Sequence, residues 1–125
     1  MPNRILIIDD EPDLSEIVQL AIDCFTDWQT DVADTGEKGI KQATTQPYDA
    51  ILLDISMPDM DGFQVFETLR SHPTTQAIPV ILLTAKVQPN DRRRFSTMDI
   101  TGIITKPFAS ETIAAEIADI LGWEM

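Results

Sequence analysis

This 125-residue chain has one cysteine, one histidine and only nine basic side chains. With Cys24 alone, an internal disulfide and a multi-cysteine metal site are both excluded. Cys24 falls on the apolar stripe of a predicted helix and is expected in the core. His72, at a predicted helix end before Pro73, reads as a solvated cap. Nine Lys and Arg against 21 Asp and Glu leave a formal net charge of −12. Such a surface repels phosphate backbones and anionic lipid, so no direct nucleic-acid or membrane binding is expected, and a cation or a locally basic protein is the better partner. Long apolar runs are also missing: none approaches the roughly 20 residues that cross a bilayer. Only four strongly apolar residues follow Met1-Pro2-Asn3-Arg4 before the first aspartate, too few for the core of a secretory signal. The expectation is a cytoplasmic protein, residues 1–125 forming a single domain with no output domain.

What is present is a series of short apolar strands. Arg4-Ile5-Leu6-Ile7-Ile8, Ala50-Ile51-Leu52-Leu53 and Pro79-Val80-Ile81-Leu82-Leu83 read as strands buried on both faces. Thr30 to Ala33 is more polar and suits a sheet edge, and Gly102 to Thr105 is a short fifth strand. Helical periodicity fills the gaps. Leu14, Ile17, Val18, Ala21, Ile22 and Phe25 share one helix face behind Pro12. A second helix starts at Asp34-Thr35-Gly36-Glu37 with Ile40 and Ala43 inward, and a third turns Phe63, Phe66 and Leu69 inward. A fourth spans Asn90 to Met98, and a fifth, capped by Ser110, carries Ile113, Ile117, Ile120 and Leu121. Five strands alternating with five helices imply an α/β fold, a doubly wound five-stranded parallel sheet with right-handed crossovers. In such sheets, chemistry sits outside the carboxyl ends of the strands.

The residues just past each buried strand are Asp9 and Asp10, then Asp54, Thr84 and Lys106. In a parallel sheet these converge on one edge. Three carboxylates brought together repel, so either one is neutral or a cation neutralises the group. Carboxylates without His or Cys suit a hard ion, and Mg²⁺ takes one or two of them while keeping several waters. Lys106 adds a compact positive charge and Thr84 a hydroxyl donor. With Asp54 as nucleophile, as in aspartyl-phosphate chemistry, the set is complete for phosphoryl transfer.

Four motifs in order, Ile-Ile-Asp9-Asp10-Glu11, Leu-Leu-Asp54-Ile-Ser-Met-Pro58-Asp-Met-Asp61-Gly62, Leu-Thr84-Ala85 and Thr-Lys106-Pro107-Phe108, closely resemble the receiver domain of two-component response regulators. The resemblance covers residues 4 to 122. It implies the strand order 2-1-3-4-5 of flavodoxin-like sheets, Asp54 as phosphoacceptor, and Mg²⁺ as cofactor. Asp10, Asp54 and the backbone carbonyl of Ser56 would then be metal ligands, with Asp9 helping through water. Lys106 would pair with the phosphoryl group. Thr84 would hydrogen-bond it and, with Ile103, form the switch that alters a surface of the fourth helix, fifth strand and fifth helix. The implied partners are a sensor histidine kinase or phosphotransfer protein and a downstream protein target, with a phosphorylation-dependent dimer as a further possibility.

Position 103 departs from the family, which commonly has Tyr or Phe three residues before the lysine. Ser56 and Lys86 stand where similar proteins tune dephosphorylation. Arg92-Arg93-Arg94 reads either as a solvated helix face or as a contact for an acidic partner, and Trp123 as the end of the core or a partner anchor. Two other classes compete with a phosphorylation switch. A phosphatase using Asp54 as nucleophile generally wants a second carboxylate two residues on, where this chain has Ser56. A constitutive binding module would not need the acidic, threonine and lysine positions to be intact.

Overall fold

From Ile5 onward, every residue of β1 (Arg4–Ile8) is buried, as is every residue of β3 (Ala50–Asp54) and β4 (Val80–Thr84). These are strands covered on both faces. The computed structural model describes residues 3–55, 62–84, 97, 100–105 and 109–123. In it the three strands form the middle of a five-stranded parallel sheet, with β2 (Gln29–Ala33) and β5 (Gly102–Thr105) at the edges. The order is β2-β1-β3-β4-β5, as expected. β2 begins one residue before the predicted Thr30, because the Gln29 N–H donates to the Asn3 carbonyl at 2.8 Å.

Alternation along the strands divides the core in two. Ile5, Ile7, Leu52, Ile81, Leu83 and Ile104 face one layer, where α1 (Pro12–Phe25) and α4 (Ile113–Leu121) pack. Leu6, Ile8, Ile51, Leu53 and Leu82 face the other, covered by α2 (Gly36–Thr45) and α3 (Gly62–Ser71). Five helices are predicted and four lie among the described residues. The predicted helix from Asn90 to Met98, with its three arginines, lies outside them apart from Thr97. Trp123 is half-buried and meets Trp28 edge to face with ring centroids 5.1 Å apart, so it closes the α1–α4 layer.

Three expectations about side chains need correction. Ile17 and Phe25 are 45% and 51% exposed, and Cys24 is exposed rather than in the core. The buried positions of α1 are Ser15, Val18, Ala21 and Ile22. At 3.6 residues per turn, Ile17 and Cys24 lie about 100–120° around from Val18, on the helix flank. Phe25 has the right azimuth but sits in the last turn. Ser110 is not the cap of α4: a turn intervenes, with the Thr112 and Ile113 N–H groups both donating to the Ala109 carbonyl, and the N-cap is Thr112. The weak apolar face of α2 has a steric reason, because Gly39 lets that helix approach β1 closely. A Cβ there would stand 2.5 Å from Ile8 Cδ1 and 2.7 Å from Ile8 Cγ1.

The amino-terminal end of the sheet carries a polar network. The Arg4 guanidinium donates to Asp31 Oδ2 at 2.8 Å and to Gln46 Oε1 at 3.2 Å, and lies 5.3 Å from the centre of the Tyr48 ring. Tyr48 donates its hydroxyl to the same Asp31 oxygen at 2.7 Å. Burial of the phenol, followed by its hydrogen bond to the Asp31 carboxylate, pushes the Tyr48 pKa up to about 12. The network ties β1, β2 and the approach to β3 together, at the end opposite the predicted site.

Candidate functional site

The site is built by strand ends. β1 ends at Ile8, and Asp9 comes next with its N–H donating to the Ala33 carbonyl of β2 at 3.0 Å. Its carboxylate Oδ1 accepts the Glu11 N–H at 2.9 Å, an Asx-type turn that bends the chain into α1. Pro12 then occupies the first turn of that helix, where its missing N–H costs nothing. Asp54 is the last residue of β3 and sits opposite Leu83 of β4.

Asp9 and Asp54 are buried, Asp10 is half-buried and Glu11 is exposed. One carboxylate oxygen from each of Asp9, Asp10, Glu11 and Asp54 falls in a group whose members all lie within 4.8 Å of one another. At an effective dielectric of about 20, two unit charges at that spacing repel by roughly 3 kcal/mol. Four carboxyl oxygens with no imidazole or thiolate among them form a donor set for a hard cation such as Mg²⁺. The positive end of the α1 dipole, just beyond Glu11, favours the same negative charge.

Thr84 ends β4, is buried, and lies one residue beyond the Asp54–Leu83 pair. It pairs with Thr105, the last residue of β5. Ile103 is half-buried, pairs with Leu82, and packs on the α2–α3 core layer. Of the predicted site residues, Asp9, Asp10 and Asp54 are brought together, with Thr84 at the adjacent strand end. Lys106 and Ser56 lie outside the described residues, as do Lys86 and the Arg92–Arg94 run. Glu11 joins the acidic group without having been singled out from the sequence; its direct adjacency to two aspartates was the available signal. Gly62 is a second such residue. A Cβ on it would overlap Ile55 Cα and stand 3.0 Å from the Asp54 carbonyl oxygen.

A sequence profile of the response regulator receiver domain matches residues 5–118, and the chain belongs to that family. Among curated relatives, the probable transcriptional regulatory protein TcrX of Mycobacterium tuberculosis is 36% identical over 120 residues, covering 96% of this chain and 50% of that protein. The chain spans about half the length of the curated relatives it matches. Among solved structures, the chemotaxis protein CheY4 of Vibrio cholerae superposes with a TM-score of 0.88 at 22% identity, covering 96% of this chain and 99% of that one. The receiver domain of the sensor histidine kinase PA1611 of Pseudomonas aeruginosa, solved with a magnesium ion coordinated in its active-site cleft, superposes with a TM-score of 0.85 at 23% identity. It covers 98% of this chain and 99% of that one. These likenesses fix the fold as that of the chemotaxis regulators.

Among the described residues no helix is long and apolar enough to cross a membrane.

Proposed function

We propose that this protein is a phosphorylation-switched signalling module of a two-component system in which Asp54 is the phosphoacceptor. The observation that carries the reading is the convergence of the buried Asp54 carboxylate with those of Asp9 and Asp10 at the ends of adjacent strands. A phosphohistidine of a sensor kinase or phosphotransfer protein is the donor. Its P–N bond breaks as an Asp54 carboxylate oxygen forms the new P–O bond, and the departing imidazole keeps the electron pair and takes up a proton. Asp10, Asp54 and the Ser56 carbonyl would hold Mg²⁺, with Asp9 assisting through water. The ion would supply positive charge to the transferring phosphoryl oxygens. Lys106 pairs with the same oxygens.

Thr84 donates its hydroxyl to the phosphoryl group and so links the site to β5, where Ile103 packs. The readout is a changed protein-binding surface around the predicted fourth helix, β5 and α4. Its occupant is a downstream protein target or a second copy of the chain. The protein is no turnover enzyme: its only chemistry is phosphorylation and dephosphorylation of its own aspartate. In this role the receiver domain itself makes no direct contact with nucleic acid or membrane, which suits work in the cytoplasm. Incubation with acetyl phosphate and Mg²⁺ tests the reading. One phosphoryl group is gained by the wild-type chain and none after Asp54→Ala; equal labelling of both contradicts it.

A further inference from the structure

We infer that Gly62 is a positioning residue for Asp54, an inference that rests on the phosphoacceptor reading above. Gly62 is the first residue of α3 and is buried. Its φ is not in the left-handed region, since among the described glycines only Gly122 is there. Backbone conformation therefore does not require glycine at 62, and alanine would be the better helix former. Space requires it. A Cβ would overlap Ile55 Cα and would crowd the Asp54 carbonyl oxygen and Ile55 Cβ, each at 3.0 Å.

These are mainly main-chain atoms of the segment that carries the phosphoacceptor, and they cannot turn aside as a side chain can. Leu53 and Asp54 are fully buried and laddered to β4, so β3 itself has little room to yield. Past Asp54 the hold on β4 is a longer hydrogen bond, from the Ile55 N–H to the Leu83 carbonyl at 3.3 Å. The Asp54–Ile55 peptide is thus the part that moves when α3 keeps its place. Because the Asp9, Asp10, Glu11 and Asp54 oxygens are grouped within 4.8 Å, a small shift of that peptide disturbs the group. Gly102 provides the contrast: a Cβ there would meet Ile120 Cγ2 at 2.6 Å and Ile120 Cδ1 at 3.1 Å, side-chain atoms on α4.

The test compares Gly62→Ala with Gly102→Ala and the wild-type chain. All are held in concentrated sucrose so that marginally stable variants stay folded, and folding is monitored by the near-ultraviolet dichroism of the Trp28–Trp123 pair. Mn²⁺ affinity is read by electron paramagnetic resonance, and acetyl phosphate labelling is read alongside it. Gly62→Ala is expected to fold and to bind Mn²⁺ roughly 10–100-fold more weakly, the range for groups that orient metal ligands. Gly102→Ala is expected to bind like wild type. Equal affinity in all three chains overturns the inference, as does a Gly62→Ala chain that stays unfolded while Gly102→Ala folds, since Gly62 would then be structural alone. A wild-type chain that neither binds Mn²⁺ nor labels at Asp54 overturns the phosphoacceptor reading first, and the inference with it.

Discussion

Asp54 and Leu83 are partners in the β3–β4 ladder, which sets Thr84 one residue beyond the acidic group on the neighbouring strand. The hydroxyl closest in register to the phosphoacceptor therefore belongs to a residue whose other neighbour is Thr105 of β5. One buried residue, Thr84, thus stands between the acidic group and the edge strand.

Removing that side chain separates chemistry from readout. Thr84→Ala is expected to take up phosphoryl from acetyl phosphate, since it leaves every carboxylate in place. The change in the Ile103 amide resonance that accompanies phosphorylation of the wild type should be lost, and Thr84→Ser should restore it. A Thr84→Ala chain whose Ile103 resonance still responds would place the link elsewhere.

The sheet was legible in the sequence because its central strands are unbroken apolar runs, and such runs suit only strands covered on both faces. Asp9, Asp10, Asp54 and Thr84 were legible for the same reason, since they stand at the carboxyl ends of those runs. Glu11 was not, because its role depends on the turn that the Asp9 carboxylate makes with the Glu11 N–H. Ile17 and Cys24 fit a helical stripe in one dimension, yet the sheet covers only the narrower arc through Ser15, Val18 and Ile22, and Phe25 lies on that arc but in the last turn of the helix. The glycines at 39 and 62 carry no periodicity at all, and their meaning appears only when a helix is laid on a strand.

Gly39→Ala provides a stability test of that close approach. The added methyl group meets Ile8 at its Cδ1, Cγ1 and Cγ2 atoms, so the whole side chain must shift within a filled layer. Overpacking of this kind costs about 1–3 kcal/mol. Urea unfolding should show a lower midpoint at unchanged slope. An unchanged or raised midpoint would mean that α2 can move away freely.

Tyr48 predicts a pH window. Its pKa is raised from 10.0 to about 12 in the folded chain, so the fold favours the neutral phenol. The contribution is fully present below pH 10 and is lost as the pH rises through about 12. Tyr48→Phe should cost about 0.5–1.5 kcal/mol at neutral pH, the usual net worth of one hydrogen bond. The stability gap between the two chains should narrow between pH 10 and pH 12. A gap that is constant across that interval would show that the Tyr48–Asp31 bond does not govern it.

The most direct test of the account is the identity of the phosphorylated residue. After labelling with acetyl phosphate and Mg²⁺, borohydride reduction converts an aspartyl phosphate to homoserine, which tandem mass spectrometry locates in the chain. Homoserine at position 54, absent when Mg²⁺ is chelated, is the predicted result. Homoserine at position 9 or 10, or at no position in a chain that has been fully exposed to the donor, would contradict the account.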